Sequence, residues 1–371
     1  MIPSRNGRHL LAAQLPGIFN DLSAPAEVIV VDNGSVDGTA EWLRSDWPQV
    51  EVELCRFPLS FAAAVNRGIA RARYSHICLL NNDMLLQSGF FAALLDAFRQ
   101  VPGLFCATAQ ICFPAGVRRE ETGKAVMAQN HPDDFPLRCD EPIPGEDLSY
   151  VLYGSGGCSL YNAAMLRALG SVDEAYFPAY VEDLDLGFRA WQRGWPSVFV
   201  AGALVEHRHR ATTSRYFSEE ELAEIVEVNY LRFLTRAVAS RVLFRELWTQ
   251  AIDRLWRRRN PALRFAARLA LSRQFPAVGP RREKEFLALT SGDVAVFPGK
   301  NALRSPLVSF ADRLETPPAA LLEAHREVVL VRKGNELALC AALQRSEEKW
   351  RVRGQMGRPE TRGSAPACPE T

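Results

Sequence analysis

Glu27-Val28-Ile29-Val30-Val31-Asp32-Asn33-Gly34-Ser35-Val36-Asp37-Gly38-Thr39 changes character twice along its length. It opens as a β-branched run bounded by Pro25 and by the Asn33-Gly34 turn, the pattern of a buried strand. It then leads through Gly38-Thr39 into a helix at Ala40-Glu41-Trp42-Leu43. The alternation continues downstream. Val50 to Leu54 reads as a strand, and Phe61 to Ala72 as a helix with Ala62, Val65, Ile69 and Ala72 on one stripe. His76 to Leu80 reads as a strand, Gly89 to Phe98 as a helix and Cys106 to Phe113 as a strand. Strands alternating with helices imply an α/β domain with a mostly parallel sheet flanked by helices. Such sheets bind ligands at the carboxyl ends of their strands, and Asp32 and Asp83 each lie just past such an end.

Pro114 to Ser149, rich in Pro, Gly and charge, reads as a long loop over one edge of the site. Val151 to Tyr161 is glycine-rich, Ala163 to Leu169 a short helix, Asp183 to Arg193 a helix with Leu184, Phe188 and Trp191 inward, and Val198 to Val205 a strand. Ser218-Glu219-Glu220-Glu221 is a capping box that opens a long helix. From there the chain reads as helical and arginine-rich, broken at Pro261 and Pro276. The expected organisation is a catalytic domain over 1–235, a helical Arg-rich extension over 236–343, and a disordered polar tail over 344–371.

The 371 residues are 47% hydrophobic and 23% charged, enough to bury a core, and the formal net charge of +1 offers no global attraction to nucleic acid. The eight cysteines include no CxxC pair and no His at zinc-ligand spacing, which fits a reducing compartment. The first residues lack the apolar stretch of a signal peptide, and no run reaches bilayer-spanning length. The expected location is therefore cytoplasmic.

Four segments carry candidate chemistry. Asp32, at a strand end, can accept a hydrogen bond from a nucleobase imide, and Asn33-Gly34 lets the backbone approach a ribose; the same residues also suit a plain Asx turn. Leu79-Leu80-Asn81-Asn82-Asp83 can offer Asp83 to a divalent metal and Asn81 to a ribose or diphosphate, or simply cap the next segment. Val181-Glu182-Asp183-Leu184-Asp185 places three carboxylates at a helix start, where the dipole alone would favour them; the functional alternative is a general base. Val205-Glu206-His207 ends a strand with an imidazole able to complete a metal site, and His beside carboxylate leans toward Mn²⁺ over Mg²⁺.

In this order the segments resemble the family 2 glycosyltransferases of GT-A fold, over about residues 1–235. The resemblance rests on VVDNGSVDGT at 30–39, Asn66-Arg67-Gly68, the DxD-like Asn81-Asn82-Asp83, the glycine loop Gly154-Ser155-Gly156-Gly157, the ED-x-D-L-x-x-R segment ending at Arg189, and the strand end at His207. The rhamnosyl- or galactofuranosyl-transferase-like branch looks closest. The resemblance implies an inverting enzyme of glycan or cell-envelope synthesis, acting on a nucleoside-diphosphate-sugar (UDP- or dTDP-sugar) and a glycan or lipid-linked acceptor. It assigns Pro3, Asp32, Asn33, Asn66 and Asn81 to the donor, Asp83 and His207 to Mn²⁺ or Mg²⁺, Asp183 to the base, and Gly156, Gly157 and Glu182 to the acceptor. Asn81 stands where the family's metal motif has its first carboxylate, which removes one negative charge.

Ile2-Pro3-Ser4-Arg5-Asn6 matches only the end of the family's central first strand: either the true start lies upstream or the sheet is cropped there, and a chain begun at Met1 is expected to be less stable than one extended upstream. A non-catalytic sugar-nucleotide-binding protein of the same fold is the rival of another class. A dehydrogenase is disfavoured because no GxGxxG follows a first strand. The arginines between Arg232 and Arg273, set among Leu, Phe and Trp, suggest peripheral contact with an anionic membrane or else a solvated helix face.

Overall fold

The computed structural model describes residues 1–114, 147–148, 150–151, 153–191, 193–207, 216–237 and 241–266, together with short strands at 126–127, 137–138, 294–298, 328–332, 340–342 and 351–353. Most of the loop expected over Pro114 to Ser149, and the helix expected beyond residue 266, lie outside the described residues.

The first half alternates as the sequence predicts. β1 (Ile2–Ser4), α1 (Arg8–Asp21), β2 (Val28–Asn33), α2 (Thr39–Asp46), β3 (Val50–Cys55), α3 (Phe61–Arg71) and β4 (His76–Leu80) are followed by β5 (Met84–Leu86), α4 (Phe90–Gln100) and β6 (Cys106–Cys112). After the short pair β7 (Val126–Met127) and β8 (Leu137–Arg138) come β9 (Tyr150–Val151), β10 (Cys158–Asn162), α5 (Ala163–Ala168), α6 (Glu182–Trp191) and β11 (Ser197–His207). Two long helices follow, α7 (Glu219–Ala237) and α8 (Arg241–Arg257).

β3, β2 and β1 are parallel neighbours, with Ser4 opposite Asp32 in the register. Although only three residues long, β1 bridges to the rest of the sheet: Leu80 N–H donates to the Met1 carbonyl (3.1 Å) and the Met1 nitrogen donates to the Cys78 carbonyl (2.8 Å). The order then runs β4-β10-β6-β11-β5. β10 lies antiparallel between β4 and β6, and β5 and β9 are antiparallel to β11, so the sheet is mixed where a mostly parallel one was expected. The reason is connectivity: β10 follows a long excursion after β6, and a strand reached that way is free to run in either direction. Gly68 on α3 is a packing requirement, since a Cβ there would fall 2.6 Å from Met1 Sδ and 3.1 Å from Val31 Cγ2.

Burial follows composition. Val30, Val31, Ala107, Ala109, Phe199 and Val205 are fully enclosed, as β-branched and small residues in central strands should be. The capping box forms reciprocally at α7: Glu221 N–H donates to Ser218 Oγ (3.2 Å), and Ser218 N–H donates to the Glu221 carboxylate (2.7 Å). α7 and α8 are joined by Arg254, which is buried and donates twice to Glu227 (2.7 Å each) beside the Tyr230 ring.

The extension differs from the sequence reading in two respects. Beyond α8, antiparallel strands β12 (Val294–Pro298), β13 (Val328–Arg332), β14 (Cys340–Ala342) and β15 (Arg351–Arg353) stand where helix and tail were expected. Their β-branched runs, Val294-Ala295-Val296 and Val328-Val329-Leu330-Val331, favour strand. The arginines also form no single outward stripe, because Arg254 is committed to Glu227 and Arg236 to Asp173.

Candidate active site

After β4 the chain turns through Asn81-Asn82-Asp83 into β5, and two buried side chains hold that turn. Gln14 of α1 donates to the carbonyls of Asn81 (2.5 Å) and Met84 (2.8 Å). Asn82 donates to Ser4 Oγ (2.9 Å). The antiparallel register sets Met84 opposite His207, so Asp83 meets the imidazole across the pair. Asp83 Oδ1 lies 3.4 Å from His207 Nε2. That oxygen is buried and has no hydrogen-bond donor. A buried acceptor left without a donor, next to an imidazole nitrogen, is the kind of ligand set that Mn²⁺ or Mg²⁺ completes. Among the described residues no group of three His, Cys, Asp or Glu surrounds this point. The two residues the sequence pairs are thus brought together, 3.4 Å apart.

The donor side is built at the ends of β1 and β2. Asp32 is 1% exposed, and its Oδ1 accepts from Ser35 N–H (3.0 Å), three residues on, which fixes the turn after β2. Pro3 sits half-buried in β1 opposite Val31. Asn6 ties this corner to Ser35 (2.9 Å), Val36 (2.8 Å) and the Tyr216 hydroxyl (2.8 Å), and the Arg5 guanidinium lies 4.2 Å over the Tyr216 ring. The Asn33 and Asn66 side chains are engaged by the protein. Asn33 exchanges both of its amide bonds with the Leu59 backbone (3.0 and 2.7 Å). Asn66 does the same with Val172 (2.9 and 3.0 Å) and also donates to Glu174 (2.9 Å). These bonds fix the segments at Leu59 and Val172 against β2 and α3.

The glycine loop joins the metal turn to the candidate base. Asn81 N–H donates to the Gly157 carbonyl (2.8 Å), and a Cβ on Gly157 would lie only 2.7 Å from Asn81 Cγ. Next to it, Gly156 N–H donates to Asp183 Oδ2 (3.3 Å), while Leu184 N–H donates to Asp183 Oδ1 (2.9 Å). Burial pushes the Asp183 carboxyl above the ordinary aspartate range, and these backbone donors offset part of that rise. Glu182 is buried beside it. Asp185 is committed elsewhere: it accepts from Arg189 (2.6 Å) and from the Tyr176 hydroxyl (3.2 Å), and Arg189 reaches on to the carbonyls of Leu169 and Ser171. Of the three carboxylates that open α6, Asp183 is the one aimed at the glycine loop.

Gln14 is a site-building residue that motif reading missed, although it left a sequence signal, a polar residue on the buried stripe of Leu10, Leu11, Leu15 and Ile18. Ser4, at the strand end expected with Pro3 to line the nucleotide pocket, accepts from Asn82 Nδ2.

Residues 1–221 match the family model described as glycosyltransferase like family 2. Over 215 residues the chain is 29% identical to an N-acetylglucosaminyl-diphospho-decaprenol L-rhamnosyltransferase of Mycobacterium tuberculosis, covering 52% of this chain and 69% of that one. It is 27% identical over 203 residues to an uncharacterized Mycobacterium bovis protein, covering 52% and 67%. Among solved structures it resembles the crystal structure of GalNAc-T7 with UDP, GalNAc and Mn²⁺, with a TM-score of 0.52 and 12% identity over 92% of this chain and 69% of that one. At that identity the likeness speaks for the GT-A fold.

Proposed function

We propose, for a chain that belongs to the family 2 glycosyltransferases, an inverting transfer of one sugar from a nucleoside-diphosphate-sugar to a hydroxyl acceptor. The observation that carries the proposal is the backbone link from Asp83 and His207, through Asn81 and the Gly156-Gly157 loop, to Asp183. It sets a metal-ligating pair and a buried carboxylate on the two sides of one glycine loop. Asp183 takes the proton of the acceptor hydroxyl, whose oxygen bonds to the anomeric carbon as the bond from that carbon to the diphosphate oxygen breaks. The bonding pair leaves with the nucleoside diphosphate. Asp83 and His207 would hold a divalent cation, Mn²⁺ or Mg²⁺, whose charge neutralises the departing diphosphate. Asp32 and Pro3 line the nucleotide end, and Glu182 with the glycine loop shapes the acceptor end.

The mycobacterial relative's name points to a rhamnosyl donor and a decaprenyl-diphosphate-linked N-acetylglucosamine acceptor. A dTDP- or UDP-sugar is accordingly the donor we favour. The test is release of nucleoside diphosphate from dTDP-rhamnose and from a panel of UDP- and GDP-sugars, with Mn²⁺ or Mg²⁺. Release that requires a lipid-linked N-acetylglucosaminyl diphosphate is the expected result. Tight donor binding with no acceptor-dependent release would instead favour a sugar-nucleotide-binding protein without transfer activity.

An acceptor of that kind lies at a membrane surface. No described helix is long and apolar enough to cross a membrane. The end of α8, however, exposes Trp256 (74%) next to exposed Arg257, Arg258 and Arg259. An aromatic ring among cations suits peripheral docking on anionic lipid. The protein should sediment with anionic vesicles at low salt and separate from them at high salt, and Trp256→Ala should weaken this severalfold. Equal recovery in the supernatant with anionic and neutral vesicles would end the idea.

A further inference from the structure

The chain enters α6 through a backbone conformation that L-residues avoid. Tyr180 and Val181 both have φ of 75°, and in this left-handed region a β-branched residue such as Val181 is a genuine outlier. Conformations of this kind persist only where the surroundings over-determine them. The next two residues are Glu182 and Asp183, so the direction in which the Asp183 carboxylate leaves the chain is set by this pair.

The surroundings that hold it come from α7. Asn229 is fully buried, and its Nδ2 donates to the carbonyls of Ala179 (2.8 Å) and Tyr180 (3.0 Å). Arg232 donates to Asn229 Oδ1 (2.7 Å), which commits the oxygen end of the amide and leaves the nitrogen end for the two carbonyls. The same guanidinium donates to the Phe177 carbonyl (3.3 Å), and Arg236 pairs with Asp173. Asn229, Arg232 and Arg236 follow one another along one helix face. The Phe233 ring meets Phe188 edge-on at 5.7 Å, which locks α7 to α6 itself. Asn229 and Arg232 lie beyond residue 221, where the family-model match ends.

We infer that Asn229 and Arg232 are positioning residues for the base: α7 grips the carbonyls of Phe177, Ala179 and Tyr180, holds the Tyr180-Val181 turn, and so aims Asp183. The inference rests on the proposed role of Asp183. It carries the catalytic unit past residue 221, where the family-model match ends, into α7.

The test uses the full chain and the donor and acceptor that wild type turns over. Asn229→Ala is expected to lower kcat about 10–100-fold with donor KM within about threefold, since a displacement of roughly 1 Å at a reacting group costs that much. Arg232→Ala should act in the same direction, about 3–10-fold, and it stands in if Asn229→Ala does not fold. Adding Val181→Gly to Asn229→Ala should restore most of the lost kcat, because glycine adopts positive φ without a clamp. A residue that served general stability alone would not be relieved by that glycine. Hydrogen exchange of the 176–186 segment should rise in Asn229→Ala, a readout independent of substrate identity. A kcat for Asn229→Ala within threefold of wild type, or no recovery with Val181→Gly, would overturn the inference. If wild type transfers no sugar, the functional reading fails on its own, and exchange decides the clamp: unchanged exchange refutes it and raised exchange sustains it.

Discussion

Asp183→Asn should lower transfer by a factor on the order of 10²–10⁴ while donor affinity stays within about threefold, because a general base contributes to the step and little to donor binding. The amide keeps the shape of the carboxylate, but its single oxygen can take the place of only one of the two that accept from Gly156 and Leu184 N–H, so one backbone donor loses its partner. The ability to take a proton is lost as well. Two accompanying results separate this from misfolding. Burial raises the Asp183 pKa, so the folded state binds that proton more readily than the unfolded chain does. The ionised group therefore destabilises the fold above its folded pKa, and the penalty vanishes as pH falls below the unfolded value. At neutral pH the amide removes the penalty and gives up one backbone hydrogen bond, so the two changes oppose each other and Asp183→Asn should stay folded with a denaturant midpoint near that of wild type. Because burial raises that pKa, wild-type turnover should fall away on the acid side at a pH above the ordinary aspartate range. Turnover of the variant within threefold of wild type would remove Asp183 from the mechanism.

The second large effect belongs to the pair at the end of β11. Asp83→Ala should weaken Mn²⁺-dependent binding of nucleoside diphosphate on the order of 10²-fold, and His207→Ala about tenfold, since a carboxylate supplies charge as well as a lone pair. Chelation of the metal should reduce wild type to the level of the Asp83 variant. Calorimetric titration with and without Mn²⁺ measures all of these. Unchanged affinity in both variants would contradict a shared metal site.

What could be read from the chain alone follows the range of the interactions. The strand-helix alternation from Val28 to Cys112 is local hydrophobic periodicity, and it is present in the structure. Asp83 and His207 were legible because one lies just past the end of β4 and the other ends β11, and the register of β5 against β11 then brings them together. The antiparallel insertion of β10 was not legible, because a strand carries no mark of the direction in which it will pair. Asn33 and Asn66 were assigned to the donor from their motifs. An asparagine amide serves a backbone segment as readily as a ligand, and only the fold shows that Leu59 and Val172 take both ends. The arginine run holds two fates that composition does not separate: Arg254 is buried against a glutamate 27 residues away in sequence, while Arg257, Arg258 and Arg259 stay exposed. Asp185, adjacent in the motif to Asp183, has the same chemistry and a different fate, set by Arg189 one turn along α6.

In the proposed single displacement Asp183 deprotonates the acceptor and no covalent sugar-enzyme bond forms. The configuration of the anomeric carbon in the first product tests it most directly, through the one-bond carbon-hydrogen coupling at that carbon in donor and product. Inversion relative to the donor is the predicted result. Retention would require a second displacement or an attack from the leaving-group face, and would contradict the account.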